Sequence, residues 1–176
     1  MSKKKARPVD EELAFLADEI IVSKTDLQGR ILYANDVFCR AAEMSTDEVL
    51  GQPHNIIRHP DMPRAVFNLL WKTLGQQQEI FAYIKNMSAT GKYYWVIAHV
   101  TPTVDASGKT IGYHSNRRAP SKRGVSEIRP LYQKLLDEEA RYSSSKQGLA
   151  ASSALLGGLL AEQGKSYAEF IWSTGK

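Results

Sequence analysis

The chain has 176 residues, 43% hydrophobic and 24% charged, the profile of an ordinary soluble domain; a disordered chain, a collagen-like repeat and a disulfide scaffold are excluded. The net charge of +4 equals the contribution of Lys3, Lys4, Lys5 and Arg7, so the body is neutral and does not read as a nucleic-acid binder. A single cysteine, Cys39, leaves no internal disulfide and no thiolate metal cluster.

Residues 1–17 read as a basic arm followed by a short cap helix at Glu11–Ala17, anchored by Leu13, Phe15 and Leu16. The arm is either a solvated terminus or a contact for phosphates or anionic lipid. No apolar run follows its charges before Leu13, so no secretory signal is expected. Ile20–Thr25 and Arg30–Ala34 form a hairpin through Asp26-Leu27-Gln28-Gly29. Asn35 or Asp36 caps the next helix, and Ser45-Thr46-Asp47-Glu48 fits a capping box on a short helix ended by Gly51.

A longer helix starts near Asp61-Met62-Pro63, with Asp61 as its cap and Ala65, Val66, Leu69, Leu70 and Leu74 on its apolar stripe. Glu79–Asn86, Tyr93–Thr101 and Thr110–Arg117 make a three-stranded meander. In its middle strand Tyr93, Trp95, Ile97 and His99 share one face and Tyr94, Val96, Ala98 and Val100 the other. Both faces are apolar, so both are expected to be covered. The fold class is α+β: a five-stranded antiparallel sheet with short helices on one face. A helix at Ser126–Tyr142, with Pro130 near its first turn, closes the 121–142 segment. The 143–176 tail is Ser/Gly/Ala/Leu-rich, and Leu149, Leu156, Leu159 and Leu160 give it an amphipathic helix that either docks a partner or folds back. Its longest apolar stretch, Gly148–Leu160, falls short of the ~20 residues of a membrane span.

This strand–helix–strand order over 18–120 resembles a PAS sensor domain. His54-Asn55-Ile56-Ile57-Arg58-His59-Pro60-Asp61-Met62-Pro63 narrows the resemblance to the PAS domains of the Aer-type aerotaxis (energy-taxis) receptors. Tyr33-Ala34-Asn35-Asp36, Gly51-Gln52-Pro53, Ile84-Lys85-Asn86, Gly91-Lys92-Tyr93-Tyr94-Trp95-Val96 and Gly112-Tyr113 support it. The resemblance implies noncovalent FAD and redox sensing without turnover of a substrate. It places cofactor contacts on Asn35, Arg58, His59 and Asp61, with Asn86 and Trp95 as further candidates. One departure stands out: the family's Trp six positions before Asn86 is Ile80 here, beside Phe81. Either Phe81 replaces that ring through a register change, or the pocket has altered. Full-length receptors of this type carry a membrane anchor, a HAMP segment and a kinase-control domain after the PAS segment; taken as a whole protein, this chain is expected to resemble the two-protein version, with a free cytoplasmic PAS subunit. Such a subunit works with a separate membrane-bound methyl-accepting chemotaxis transducer or HAMP-containing protein, or as a homodimer.

The residue types suit that ligand. Asparagine amides donate and accept at once, matching a ring nitrogen that changes from acceptor to donor on reduction. Arg58 offers a planar fork for a pyrophosphate, or it pairs with Asp61. His59 is held extended by Pro60 and contacts the ligand or a loop carbonyl. Haem is the lesser alternative, because the helix that would bring its axial histidine, Arg64–Leu74, has none. A ligand-free interaction module is the other.

Overall fold

Residues 6–14 and 17–176 are described in the structure, a computed structural model; the cluster Lys3–Lys5 and the expected anchors Phe15 and Leu16 lie outside them. Five strands, β1 (Ile21–Thr25), β2 (Ile31–Ala34), β3 (Ile80–Met87), β4 (Tyr93–Val104) and β5 (Thr110–Arg118), form one antiparallel sheet in the order β2-β1-β5-β4-β3. Between β2 and β3 run α1 (Asp36–Ala42), α2 (Thr46–Val49), a 3₁₀ turn at His54–Ile57 and α3 (Arg64–Gly75). After β5 come α4 (Lys122–Ala140), α5 (Ser145–Glu162) and α6 (Tyr167–Ser173).

Local chemistry explains most of the starts. Asn35 caps α1 through a bond from the Phe38 N–H, and Ser45 with Glu48 completes the expected capping box on α2. Three expectations are corrected. Asp61 does not cap α3, whose first residue follows Pro63 with no side-chain cap of its own. The cap comes instead from α4: the buried Glu139 carboxylate accepts from the Ala65 N–H at 3.1 Å, Arg64 Nε at 3.0 Å and Ser152 Oγ at 3.0 Å. The helix α4 begins four residues before the expected Ser126, because Ser121 accepts from the Gly124 N–H, and Pro130 lies in its interior. At the N-terminus Glu11–Leu13 run extended, not helical, bonding to the backbone of Tyr93.

The inner face of the sheet packs with Phe38, Ile57, Val66 and Leu70 into one core. The outer face is covered by the chain's own last helices, with Trp95 stacked on Tyr132 of α4 at 6.1 Å and Phe81 against Trp172 of α6 at 4.7 Å. The 143–176 tail therefore folds back: α5 packs on α3 and α4, and Leu156, Tyr167 and Ile171 are buried. Both sheet edges meet loops or side chains. Along β2, Ile31 exchanges bonds with Gly51 and Gln52; along β3, Lys85 O accepts from the His59 N–H, the Lys85 N–H meets Met62 Sδ, and Tyr83 O accepts from Tyr132 Oη. No helix among the described residues is long and apolar enough to cross a membrane.

Candidate functional site

Strand alternation decides what faces the helices. Ser23 and Thr25 of β1, Ile84 and Asn86 of β3, Ala98 and Val100 of β4, and Tyr113, Ser115 and Arg117 of β5 all point inward. Opposite them stand Phe67, Leu70, Trp71 and Leu74 of α3, with His54, Asn55, Ile57 and Arg58 from the 3₁₀ turn and the residue after it. Together they enclose a cavity of about 450 Å³, within the range of small-molecule sites. Exposed Leu27 and Trp71 are among its lining residues, and the Trp71 indole packs edge-on to Tyr113 at 5.4 Å.

The wall is apolar with a few buried polar groups, and three of those carry atoms without a partner among the described residues: Asn86 Nδ2, Ser115 Oγ and Arg117 Nη1. Buried donors and hydroxyls are ordinarily satisfied, so these three atoms are open hydrogen-bonding positions on residues of the wall. Arg117 donates through Nη2 to Ser23 Oγ at 2.9 Å and meets His54 Nε2 at 2.5 Å. Burial draws the Arg117 pKa down to about 10, still cationic at neutral pH, and burial together with that guanidinium pushes His54 down to about 3.

Of the residues singled out in the sequence, the fold brings Arg58 and Asn86 to this wall, joined by a backbone bridge. Arg58 lies over the Phe67 ring at 4.2 Å and donates to Met62 O at 3.0 Å. Its pKa is lowered, chiefly by burial, with nearby Glu139 opposing and Arg64 adding to the shift. Ile80 is buried on the inner face, across the ladder from the cavity residue Val100.

The others lie elsewhere. The Asn35 amide accepts from the Val22 and Phe38 N–H groups and donates to Ile20 O at 2.8 Å, a structural role away from the cavity. His59 is buried beside β3, its Nδ1 accepting from the Asp61 N–H at 3.0 Å. Asp61 is exposed and pairs with Lys85 at 2.7 Å rather than with Arg58. Phe81 and Trp95 face outward, Phe81 stacked on His99 at 4.1 Å. Phe81 therefore does not stand in for the missing Trp; the cavity draws its aromatic side chains from Phe67, Trp71 and Tyr113. His54, Ser115 and Arg117 are not among the cofactor positions that the resemblance implies. The usable signal was an arginine on the inward phase of a strand, two and four residues after Ser115 and Tyr113.

This sheet order, with short helices enclosing a cavity on one face, is that of the PAS fold, and residues 31–116 match the PAS fold family. Over 118 residues the chain is 40% identical to the aerotaxis receptor of Escherichia coli (strain K12), a match covering 67% of this chain and 23% of that protein. It is 29% identical over 99 residues to the nitrogen fixation regulatory protein of Klebsiella oxytoca, covering 56% of this chain and 20% of that one. The light-state structure of the blue-light photoreceptor Aureochrome1 LOV shares the fold, with a TM-score of 0.54 and 20% identity over 66% of this chain and 91% of that one. The chain thus spans less than a quarter of the length of these two curated relatives.

Proposed function

We propose that this chain is a flavin-binding redox sensor that takes FAD in the inner-face cavity. It reports redox or respiratory state to the chemotaxis machinery through a separate membrane-bound methyl-accepting transducer or HAMP-containing protein. The observation that carries the reading is the cavity wall: an apolar slot of about 450 Å³ with the unpartnered Asn86 Nδ2, Ser115 Oγ and Arg117 Nη1 at its polar positions. A flavin, when bound, supplies a reversible electron acceptor whose polar edge changes its hydrogen-bonding pattern with redox state.

Ile84, Ala98, Val100 and Leu70 exclude water from the flat of the ring, and Asn86 and Ser115 offer partners to its edge. Arg58 is the cation for the phosphates. The kinship with an aerotaxis receptor supports a cytoplasmic chemotaxis role, and binding rather than turnover is the activity. A change at Asn86 has a short route outward, because the preceding residue, Lys85, holds Asp61 on the other side of the strand.

The test is the absorbance spectrum of protein purified from a flavin-replete host. Flavin bands bleached by dithionite and restored by air are expected. A Soret band instead assigns haem, and a colourless protein that refuses added FAD leaves a docking module.

A further inference from the structure

The cavity wall carries two arginines and no aspartate or glutamate. Arg117, only 4% exposed, has no carboxylate against it among the described residues; it bonds to Ser23 Oγ and His54 Nε2. A guanidinium has donors only, so His54 Nε2 must be an acceptor, and the neutral ring carries its proton on Nδ1. Ser23 Oγ lies 3.2 Å from the same Nε2, which closes a three-residue cluster. Phe38 backs it, edge-on to the His54 ring at 5.8 Å and beneath the guanidinium at 5.6 Å. With Nη2 engaged twice, Nη1 is the donor left over. A buried cation with an open donor is costly unless an acceptor, best an anionic one, meets it.

We propose that Ser23 and His54 hold Arg117 with Nη1 toward the ligand's electron-rich edge, so that the cavity favours a ring bearing negative charge over the same ring uncharged. This rests on the flavin reading above. Oxidised isoalloxazine is neutral, whereas the two-electron-reduced ring ionises to an anion near neutral pH. Arg117 is then the residue that discriminates between the two forms, and His54 is a positioning residue acting through it. A ligand shifts a conformational equilibrium only by its differential affinity, so this preference is where a redox signal begins.

The experiment is anaerobic titration of the full chain with FAD and with dithionite-reduced FAD, in slightly alkaline buffer, comparing the ratio of the two Kd values. Wild type is expected to bind the reduced form more tightly. Arg117→Met should lower that ratio about tenfold or more, the size of one charge-assisted hydrogen bond. His54→Leu should lower it while leaving the guanidinium in place, and His54→Gln, whose amide oxygen can accept from Arg117, should restore it. Unchanged ratios in Arg117→Met and His54→Leu overturn the proposal while the flavin reading stands; wild type that binds neither form overturns the flavin reading itself. Imidazole ¹⁵N shifts of the ligand-free chain give a second readout that needs no variant to fold. A proton on Nδ1 of His54 is expected, and a proton on Nε2 overturns the proposal.

Discussion

His54 cannot gain a proton without holding a charge in a buried site and facing the Arg117 guanidinium, and this links one ring to the stability of the whole domain. Its pKa falls from 6.5 to about 3 in the folded chain. Below the unfolded value the unfolded chain binds one proton more than the folded one, so stability is full above pH 6.5 and is lost as the pH falls toward 3. Each pH unit in that window costs about 1.4 kcal/mol. From about pH 7 to about pH 5, wild type should therefore lose about 2 kcal/mol more than His54→Gln, read as the shift in urea midpoint. Equal losses in the two proteins would show that the ring keeps its ordinary pKa. At this scale the site was half legible. Arg58 stands out in the His54–Pro63 run and Asn86 in Ile84-Lys85-Asn86, but nothing along the chain links His54 to Arg117, 63 positions away. Alternation alone places Phe81 and Trp95: with Asn86 inward, odd-numbered β3 residues face outward, and Trp95 stands opposite Lys85.

Elements built on local rules were read correctly, and those that depend on distant partners were not. The β1–β2 hairpin and the capping box of α2 need only a few adjacent residues. The start of α3 is capped from α4 by Glu139, and the stretch before β1 is drawn into an extended run by Tyr93, so neither was visible along the chain. The helix α5 shows the same division in its glycines. At Gly148 a Cβ would lie 2.7 Å from the carbonyl oxygen of Glu139, so the close approach of α5 to α4 requires a glycine. Gly157 and Gly158 have open space around the same atom. Alanine at either of the latter should stabilise the protein by about 0.5–1 kcal/mol through helix propensity, whereas Gly148→Ala should destabilise it despite the same propensity gain. Thermal melts of the three variants check this, and a higher melting temperature for Gly148→Ala would refute the tight contact.

Across the whole molecule, one sheet serves two environments. Its inner face encloses the cavity and its outer face holds α4 and α6, with Ile171 buried at 1% exposure and Tyr83 Oη donating to Thr174 O at 3.2 Å. Ile171→Ala should cost about 2–5 kcal/mol, the usual range for a buried aliphatic truncation. The loosened helix should expose the Gln163–Ser166 connection to trypsin at Lys165, while FAD affinity stays at the wild-type value because the cavity lies on the other face. Limited proteolysis and a flavin titration on the same preparation check both parts. A parallel loss of flavin would mean that the two faces act as one unit.

The bonded edges of this sheet bear on how the protein behaves at high concentration. An open strand edge is a template on which another chain can pair and from which fibrils or swapped dimers grow. Here Gly51 and Gln52 occupy the backbone of β2 at Ile31, and His59, Met62 and Tyr132 occupy that of β3 at Lys85 and Tyr83. Leu32 and Tyr33 are exposed at one of these edges, yet the main-chain groups that would let a neighbour align there are partly taken. The loop that supplies Arg58 to the cavity thus also covers part of the β3 edge, where a second chain would otherwise align.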